Sequence, residues 1–81
     1  MNILGAMEET VRLAHKSDKF PSSGNLGYAH IAGMLITMKE GTFSYGKMCR
    51  WLGWAQCAVV AAGAATLEDM KRINMRYKDP V

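Results

Sequence analysis

The sequence predicts an all-α fold, a small bundle of about four short helices that forms a single helical domain over residues 1–81. Apolar residues recur at helical spacing, three and four positions apart, in four separate segments. No segment alternates apolar and polar residues as a half-buried strand does, and no Asn-Gly or Asp-Gly hairpin turn occurs. With 81 residues, 49% of them hydrophobic and 21% charged, the chain suits one small globular core.

The first helix is predicted from about Asn2 to Lys16. Its apolar stripe consists of Ile3, Met7, Val11 and Ala14. Pro21 excludes helical geometry at Phe20, because a residue before proline is pushed toward extended conformations. The polar segment Ser22-Ser23-Gly24-Asn25 then predicts a turn that offers capping groups to the next helix.

The second helix is predicted from about Asn25 to Glu40, and Gly41 is expected to end it because glycine readily adopts the left-handed conformation that follows many helices. The apolar face of this helix comprises Tyr28, Ile31, Ala32, Leu35 and Met38.

The third helix is predicted to begin near Thr42 or Ser44 and to continue to about Ala62. Its stripe comprises Tyr45, Met48, Leu52, Ala55, Val59 and Ala62, and small residues lie beside it at Gly46, Gly53, Ala58 and Ala61. Beyond Arg50 this helix is apolar on most of its circumference, which is typical of helices buried on all sides. Three short neighbouring helices have too little surface to bury the whole apolar circumference of the third helix. We therefore expect a homo-oligomer with the third helix at or near the interface.

The fourth helix is predicted to begin after Gly63, with Thr66 as its N-cap and acidic residues in its first turn, where they favour the helix dipole. Its apolar stripe consists of Leu67, Met70, Ile73 and Tyr77, and its basic residues are Lys71, Arg72, Arg76 and Lys78.

The net charge of +3 arises entirely from the C-terminal half of the chain. Residues 1–41 hold four basic and four acidic side chains, whereas residues 42–81 hold six basic and three acidic ones. An acidic ligand, a nucleotide or the acidic patch of a partner would be drawn to this half. The alternative is that these basic side chains form a solvated helix face that binds no ligand.

The two cysteines favour a reducing compartment. Cys49 and Cys57 stand eight positions apart in the predicted third helix, which separates them by about 12 Å, beyond the ~7 Å between Cα atoms that a disulfide spans. We therefore expect buried, unpaired thiols. The N-terminus lacks the basic start of a signal peptide, and the apolar stretch 51–65 is shorter than the ~20 residues of a membrane helix, so a cytoplasmic location without membrane association is predicted.

The chemistry of catalysis is sparse in this sequence. His15 and His30 fall in different helices, and Glu68 and Asp69 are explained by their position at a helix start. The segment Gly24-Asn25-Leu26-Gly27 has neither the lysine nor the preceding strand of a phosphate-binding loop. We therefore predict a protein that is not an enzyme and that holds no metal or cofactor.

A ligand-binding surface is predicted on the third helix. Lys47, Arg50 and Trp54 stand at i, i+3 and i+7, and arginine beside an indole suits a phosphate next to a stacked base. Trp51 belongs to the same cluster, and His30 is a further candidate to face it from the second helix. The predicted ligand-binding residues are Lys47, Arg50, Trp54, Tyr28, Lys71 and Arg72. The alternative is that both tryptophans fill the core, with Arg50 stacked on them at the rim.

Three segments resemble small accessory proteins of tailed bacteriophages and prophages. They are Phe43-Ser44, Arg50-Trp51-Leu52-Gly53-Trp54-Ala55-Gln56 and Thr66-Leu67-Glu68-Asp69-Met70-Lys71-Arg72-Ile73-Asn74. The resemblance covers roughly residues 24–76. It implies expression in the bacterial cytoplasm and a small, non-catalytic, oligomeric protein that blocks a host process, and it supplies no site residues.

Two functions remain open from the sequence. In the first, the protein counters host defence or metabolism by binding, either inhibiting a host protein or sequestering a nucleotide signal. In the alternative, it is a nonspecific nucleic-acid accessory protein that uses the basic fourth helix. Sequence-specific DNA reading by that helix is disfavoured, since Glu68 and Asp69 would repel phosphates at its start.

Overall fold

A computed structural model describes residues 1–21 and 24–79, and in these ranges the protein is all-helical, with no strand. The four helices are α1 (Ile3–Lys16), α2 (Tyr28–Lys39), α3 (Tyr45–Ala61) and α4 (Leu67–Arg76). The prediction of four helices is therefore confirmed. Ser22 and Ser23, assigned above to a capping turn, lie outside the described residues.

Side-chain caps begin three of the helices. The Asn2 side chain accepts a hydrogen bond from the backbone N–H of Gly5 at the start of α1, and Ser44 does the same for Lys47 at the start of α3. At α4, Thr66 and Asp69 exchange side-chain and backbone hydrogen bonds in a capping box. The N-cap predicted at Thr66 is confirmed, and each such cap satisfies a backbone donor that the helix leaves unpaired.

Helix α2 begins at Tyr28, three residues later than the sequence predicts. The preceding residues form a turn instead, in which the backbone N–H of Gly27 donates to the carbonyl of Gly24 at 3.0 Å. Gly24 has a φ of 90°, which is incompatible with a helical start at this point. Gly27 is the N-cap, and no side chain caps α2.

Glycines end α2 and α3, as predicted. Gly41 and Gly63 follow the C-caps with φ values of 78° and 75°. At the end of α3, Gly63 donates to the carbonyl of Val60 and Ala64 donates to that of Val59, at 3.0 and 3.1 Å. This pair of bonds satisfies carbonyls that the helix itself leaves free.

Helix α1 is central to the packing and contacts α2, α3 and α4. Its predicted stripe is buried throughout, and Ala6 and Thr10 extend the buried surface between the stripe positions. The other helices bring Ile31, Met34, Met38, Leu52, Ala55, Ala58, Val59, Met70 and Ile73 to the same core. Tyr45 and Leu67 were expected in apolar stripes but are 60% and 61% exposed, because each is the first residue of its helix and lies at the edge of the packed layer.

Helix α3 is buried on one side only, which corrects the expectation of burial on all sides. Its exposed residues are Tyr45, Gly46, Cys49, Arg50, Gly53, Trp54, Cys57 and Ala61. Cys49 and Cys57 are free, as predicted, but the prediction that they are buried is wrong. Both lie away from the stripe of Leu52, Ala55 and Val59 that packs into the core. No helix in the described ranges has the length and apolar character needed to span a bilayer.

The end of α4 is held against the start of α1 through a close approach at Gly5. The backbone N–H of Asn2 donates to the carbonyl of Tyr77 at 2.8 Å. A Cβ atom at Gly5 would lie 2.6 Å from two atoms of the Tyr77 ring and 2.6 Å from the Asn2 side-chain nitrogen. The missing side chain at Gly5 is therefore what lets the tyrosine ring pack on α1.

We predict that Gly5→Ala lowers the free energy of unfolding by about 1–3 kcal/mol, because the added methyl group displaces Tyr77. The matched control is Gly33→Ala, at an exposed position in α2 where nothing lies within 4 Å of the added Cβ. Alanine there should raise stability by about 0.5–1 kcal/mol through helix propensity. Urea denaturation followed by circular dichroism measures both, and equal stabilisation by the two variants would contradict the close approach at Gly5.

Candidate functional site

A groove lies between the start of α2 and the middle of α3. We call it the α2–α3 groove; it has a volume of about 490 Å³ and is lined by Asn25, His30, Met34, Arg50, Trp51 and Trp54. Its volume falls in the range of about 300–1,000 Å³ that small-molecule sites occupy. A second concavity of about 330 Å³ shares His30, Met34 and Trp51 with the groove and continues along α2 past Gly33.

Helical spacing on both sides builds the walls of the groove. His30 and Met34 stand four positions apart on α2, and Arg50 and Trp54 stand four positions apart on α3. Residues at this spacing share one helix face, so each pair presents two side chains to the facing helix. Trp51 belongs to the same wall as Arg50 and Trp54.

Trp54 presents an exposed and fixed aromatic surface. Its side chain is 46% exposed, which excludes the alternative that it fills the core. Its indole Nε1 donates a hydrogen bond of 3.1 Å to the backbone carbonyl of Asn25. This bond holds one edge of the indole against the connection before α2, and about half of the side chain remains accessible to a ligand.

Trp51 is half-buried and is supported from behind by Phe43. The two rings meet edge to face, with centroids 4.5 Å apart and planes at 75°. The ammonium group of Lys47 lies 4.0 Å from the centroid of Phe43 and 5.6 Å from that of Trp51. Lys47 therefore lies against the aromatic pair, where its charge is stabilised by the ring faces, and it does not line the groove.

Arg50 is exposed, and within residues 1–21 and 24–79 no carboxylate pairs with it. No acidic residue is among the described residues that line the groove. Two other arginines differ in this respect, since Arg72 and Arg76 are bound by Asp69 and Glu9. One guanidinium nitrogen of Arg50 lies back toward Gly46, 3.6 Å from where a Cβ atom of that residue would be, so the charged group lies on the α3 side of the groove with no carboxylate bound to it in the described residues.

The other predicted binding residues lie elsewhere. The ring of Tyr28 packs against His15 of α1, with centroids 5.4 Å apart, and does not line the groove. Lys71 and Arg72 lie on α4, which contributes nothing to the groove. Lys71 pairs with Glu68 at 3.4 Å, and Arg72 pairs with Asp69. The structure thus brings Arg50 and Trp54 together with Trp51 and His30.

Sequence reasoning missed two groove residues, Asn25 and Met34. Asn25 was assigned to a capping turn, yet it reaches the groove through the connection before α2. The only signal for it is its place in a polar segment that precedes a helix. Met34 follows His30 by one helical turn, a spacing that indicates a shared face once His30 is considered a candidate.

Comparisons of the chain with protein-family models, with curated proteins and with solved structures found no match. Among the described residues, no group of three or more histidine, cysteine, aspartate or glutamate side chains is placed to hold a metal ion.

The basic residues of α4 lie in a network of ion pairs. A shallow concavity of about 220 Å³ beside α4 is lined by Glu9, Asp69, Arg72 and Arg76, together with apolar neighbours. Glu9 accepts hydrogen bonds from Arg76 and from the Tyr77 hydroxyl, the latter at 3.1 Å. Burial raises the pKa of Glu9, but these hydrogen bonds and the charge of Arg76 more than offset it, so the pKa lies below its ordinary value of 4.5.

A lowered pKa of Glu9 makes stability depend on pH in acid. The contribution of the Glu9 carboxylate to the free energy of unfolding is fully present above the unfolded pKa of 4.5 and is lost as the pH falls through the lower pKa of the folded protein. We predict that Glu9→Gln flattens the decline in unfolding free energy below about pH 4.5, measured by urea denaturation at a series of pH values. Glu8→Gln is the control, since Glu8 is exposed and pairs only with Lys39 at 3.7 Å. An identical acid decline in Glu9→Gln and in the unmodified protein would contradict this role of Glu9.

Proposed function

We propose that this chain is a non-catalytic accessory protein of a tailed phage or prophage that binds a nucleotide in the α2–α3 groove. By sequestering that nucleotide in the bacterial cytoplasm, it counters a host defence or metabolic process. The observation that carries this proposal is that Arg50, a cation without a carboxylate partner in the described residues, lines the same groove as the partly exposed indole of Trp54.

The chemistry of the groove suits a phosphate joined to a planar base. A guanidinium forms two parallel hydrogen bonds to phosphate oxygens, and such charge-assisted bonds are roughly twice as strong as neutral ones. An indole face stacks any base, which contributes about 1–3 kcal/mol per base. Arg50 and Trp54 stand one helical turn apart, so a single small ligand reaches both.

The phage setting rests on the resemblance of the sequence segments, and two of these segments meet at the groove. The segment 50–56, which resembles phage proteins, supplies Arg50 and both tryptophans of the groove. The segment 66–74 is joined to it by reciprocal hydrogen bonds between the side-chain amides of Gln56 and Asn74, at 2.8 and 3.2 Å. The first segment therefore forms a wall of the groove, and the second segment packs against the first through this pair of hydrogen bonds.

Binding without catalysis fits the groove lining. Among the described residues that line the groove, His30 is the one imidazole, and none of the others carries a hydroxyl, thiol or carboxylate group. Nucleophilic catalysis needs such a group beside the imidazole.

The alternative of nonspecific nucleic-acid binding through α4 has weaker support. Lys71, Arg72 and Arg76 each pair with an acidic residue, so phosphates would have to displace these carboxylates. Lys78, which was predicted to belong to the same basic helix, lies beyond the end of α4 and is exposed without an ion pair in the described residues. This alternative predicts an affinity for DNA that falls steeply with salt. Inhibition of a host protein is the remaining reading, and a purified protein free of nucleotide that captures a host protein through the groove would favour it.

We further propose a homo-oligomer in which a second copy packs on α3 along Gly53, Cys57 and Ala61, which do not line the groove. These three residues stand at intervals of four on one helix face, and all are small, uncharged and exposed. Nothing within the protein lies within 4 Å of a Cβ added at Gly53, so the protomer itself gives no packing reason for a glycine in mid-helix. Close approach of another helix supplies such a reason.

We predict that Gly53→Ala weakens the oligomer while stabilising the isolated protomer by about 0.5–1 kcal/mol. Light scattering after size-exclusion chromatography over a range of concentrations measures the first effect, and urea denaturation below the dissociation constant measures the second. Unmodified protein that stays monomeric at high concentration would contradict the oligomer.

Native mass spectrometry of protein purified gently from bacterial lysate tests the proposed function, because it reports subunit number and bound nucleotide together. We expect an extra mass of nucleotide size in the unmodified protein. In Arg50→Glu the nucleotide should be lost, with affinity at least about tenfold weaker, since a carboxylate replaces the phosphate-binding group.

The control for Arg50→Glu is Arg12→Glu, which makes the same charge change at an exposed position on α1 that does not line the groove. Helicity and subunit number should be unchanged in both variants. Equal nucleotide affinity of Arg50→Glu and Arg12→Glu would exclude sequestration in the groove.

A further inference from the structure

We infer that the α2–α3 groove continues into a second subsite over Gly33, and that the nucleotide it takes is a dinucleotide, with one base in each subsite and the joining phosphate at Arg50. This inference rests on the proposed function, because it names the class of nucleotide that the same groove binds. The second subsite is the concavity of about 330 Å³ that runs along α2 past Gly33, and we call it the Gly33 concavity.

The Gly33 concavity and the α2–α3 groove adjoin each other. His30, Met34 and Trp51 line both of them. Ala29 and Thr37 line only the Gly33 concavity and stand eight positions apart on α2, which corresponds to about 12 Å along the helix axis. A mononucleotide with its phosphate on Arg50 and its base on Trp54 would therefore leave this length of α2 uncovered.

The missing side chain at Gly33 keeps the concavity open. Gly33 lies in the middle of α2, is exposed, and in the described structure has nothing within 4 Å of an added Cβ atom. Its φ is not positive, so the backbone does not require glycine here. Glycine in the middle of a helix is less stable than alanine, and contacts within the protomer do not account for it. Space for a ligand does account for it.

The lining of the Gly33 concavity suits an uncharged planar group. Its described lining residues carry no carboxylate, ammonium or guanidinium group. Trp51 is half-buried, and Phe43 packs edge to face on its ring with centroids 4.5 Å apart. Met34 is buried, and its thioether makes favourable contacts with aromatic rings. Together the indole and the thioether form a surface on which any base stacks, since every base has a π-face.

The cation and the two indoles are arranged for one phosphate with a base on each side. Arg50 and Trp54 line the groove and not the Gly33 concavity, whereas Trp51 lines both. All three residues fall within about one turn of α3. A phosphate bound to Arg50 therefore has one indole within reach of each nucleoside that it joins. A phosphodiester between two nucleosides has this arrangement of groups.

Calorimetric titration of the full protein with two matched ligands tests this inference. The first is the dinucleotide ApA, in which one phosphodiester joins two adenosines. The second is adenosine 5′-methyl phosphate, which has the same phosphodiester charge and lacks the second nucleoside. We expect ApA to bind at least about tenfold more tightly, because a second base stacks in the Gly33 concavity.

Gly33→Leu and Ala29→Leu each fill the Gly33 concavity with an aliphatic side chain from an exposed position on α2. In both variants the ratio of ApA affinity to methyl phosphate affinity should fall to about one. Gly33→Ala is the control, since a single methyl group leaves most of the concavity open and should keep most of the ratio. Circular dichroism checks the folding of each variant, and two leucine variants are used so that a folding defect in one leaves the other to decide.

Equal affinity of the unmodified protein for ApA and adenosine 5′-methyl phosphate would overturn the second subsite and leave nucleotide sequestration in place. Tighter binding of ApA with the same ratio in a folded leucine variant would show that the second base does not lie over Gly33, and would also overturn the inference. Binding of neither ligand, together with no nucleotide in the native mass spectrum, would overturn this inference and the proposed function.

Discussion

The packing of the other three helices against the apolar face of α1 is the constraint on which the rest of the structure depends. Thr10 lies at the centre of this arrangement with no exposed surface. Its hydroxyl donates to the carbonyl of Ala6 at 2.8 Å and accepts from the side chain of Gln56 at 3.4 Å. Gln56 is in turn paired with Asn74. Thr10 is buried, and Gln56 and Asn74 are half-buried, so these hydrogen bonds favour one register of α3 and α4 against α1.

That register decides which side of α3 meets solvent. With Leu52, Ala55 and Val59 directed into the core, the opposite side carries Arg50, Gly53 and Cys57 outward. Trp51 and Trp54 fall between these two sides, next to α2. The groove is therefore a consequence of how α3 packs on α1. The groove residues of α3 lie in one continuous helix with regular backbone.

Features fixed by local interactions could be predicted from the sequence. The stripe of α1, the cap at Thr66 and the ends at Gly41 and Gly63 depend only on residues within one or two turns. Burial along α3 could not be predicted in the same way, because its apolar residues surround the helix and only packing against α1 selects a side. Cys49 and Cys57 were expected in the interior because unpaired cysteines commonly behave as small hydrophobic residues, but this packing leaves them on the exposed side of α3.

The candidate groove residues differ in the same way: spacing along one helix predicts some of them, and contacts between elements decide the others. Arg50 and Trp54 share a helix face by spacing alone, so the sequence indicates them together. Tyr28 packs on His15 of α1, a contact between helices that spacing does not indicate. The contact of Lys47 with Phe43 is local, four positions along the chain, but Phe43 precedes α3, so helical spacing does not describe it. Asn25 is 29 positions from the tryptophan that holds it, a separation at which sequence patterns carry no information.

The hydrogen bond from Trp54 to Asn25 also bears on the entropy of recognition. An exposed tryptophan and an irregular connection ordinarily lose conformational freedom when a ligand orders them. Here the bond orders both as the chain folds, so this loss belongs to folding rather than to association. The same bond makes the connection before α2 part of the groove wall. If that connection moves away, the hydrogen bond breaks and the indole edge is exposed at the same time.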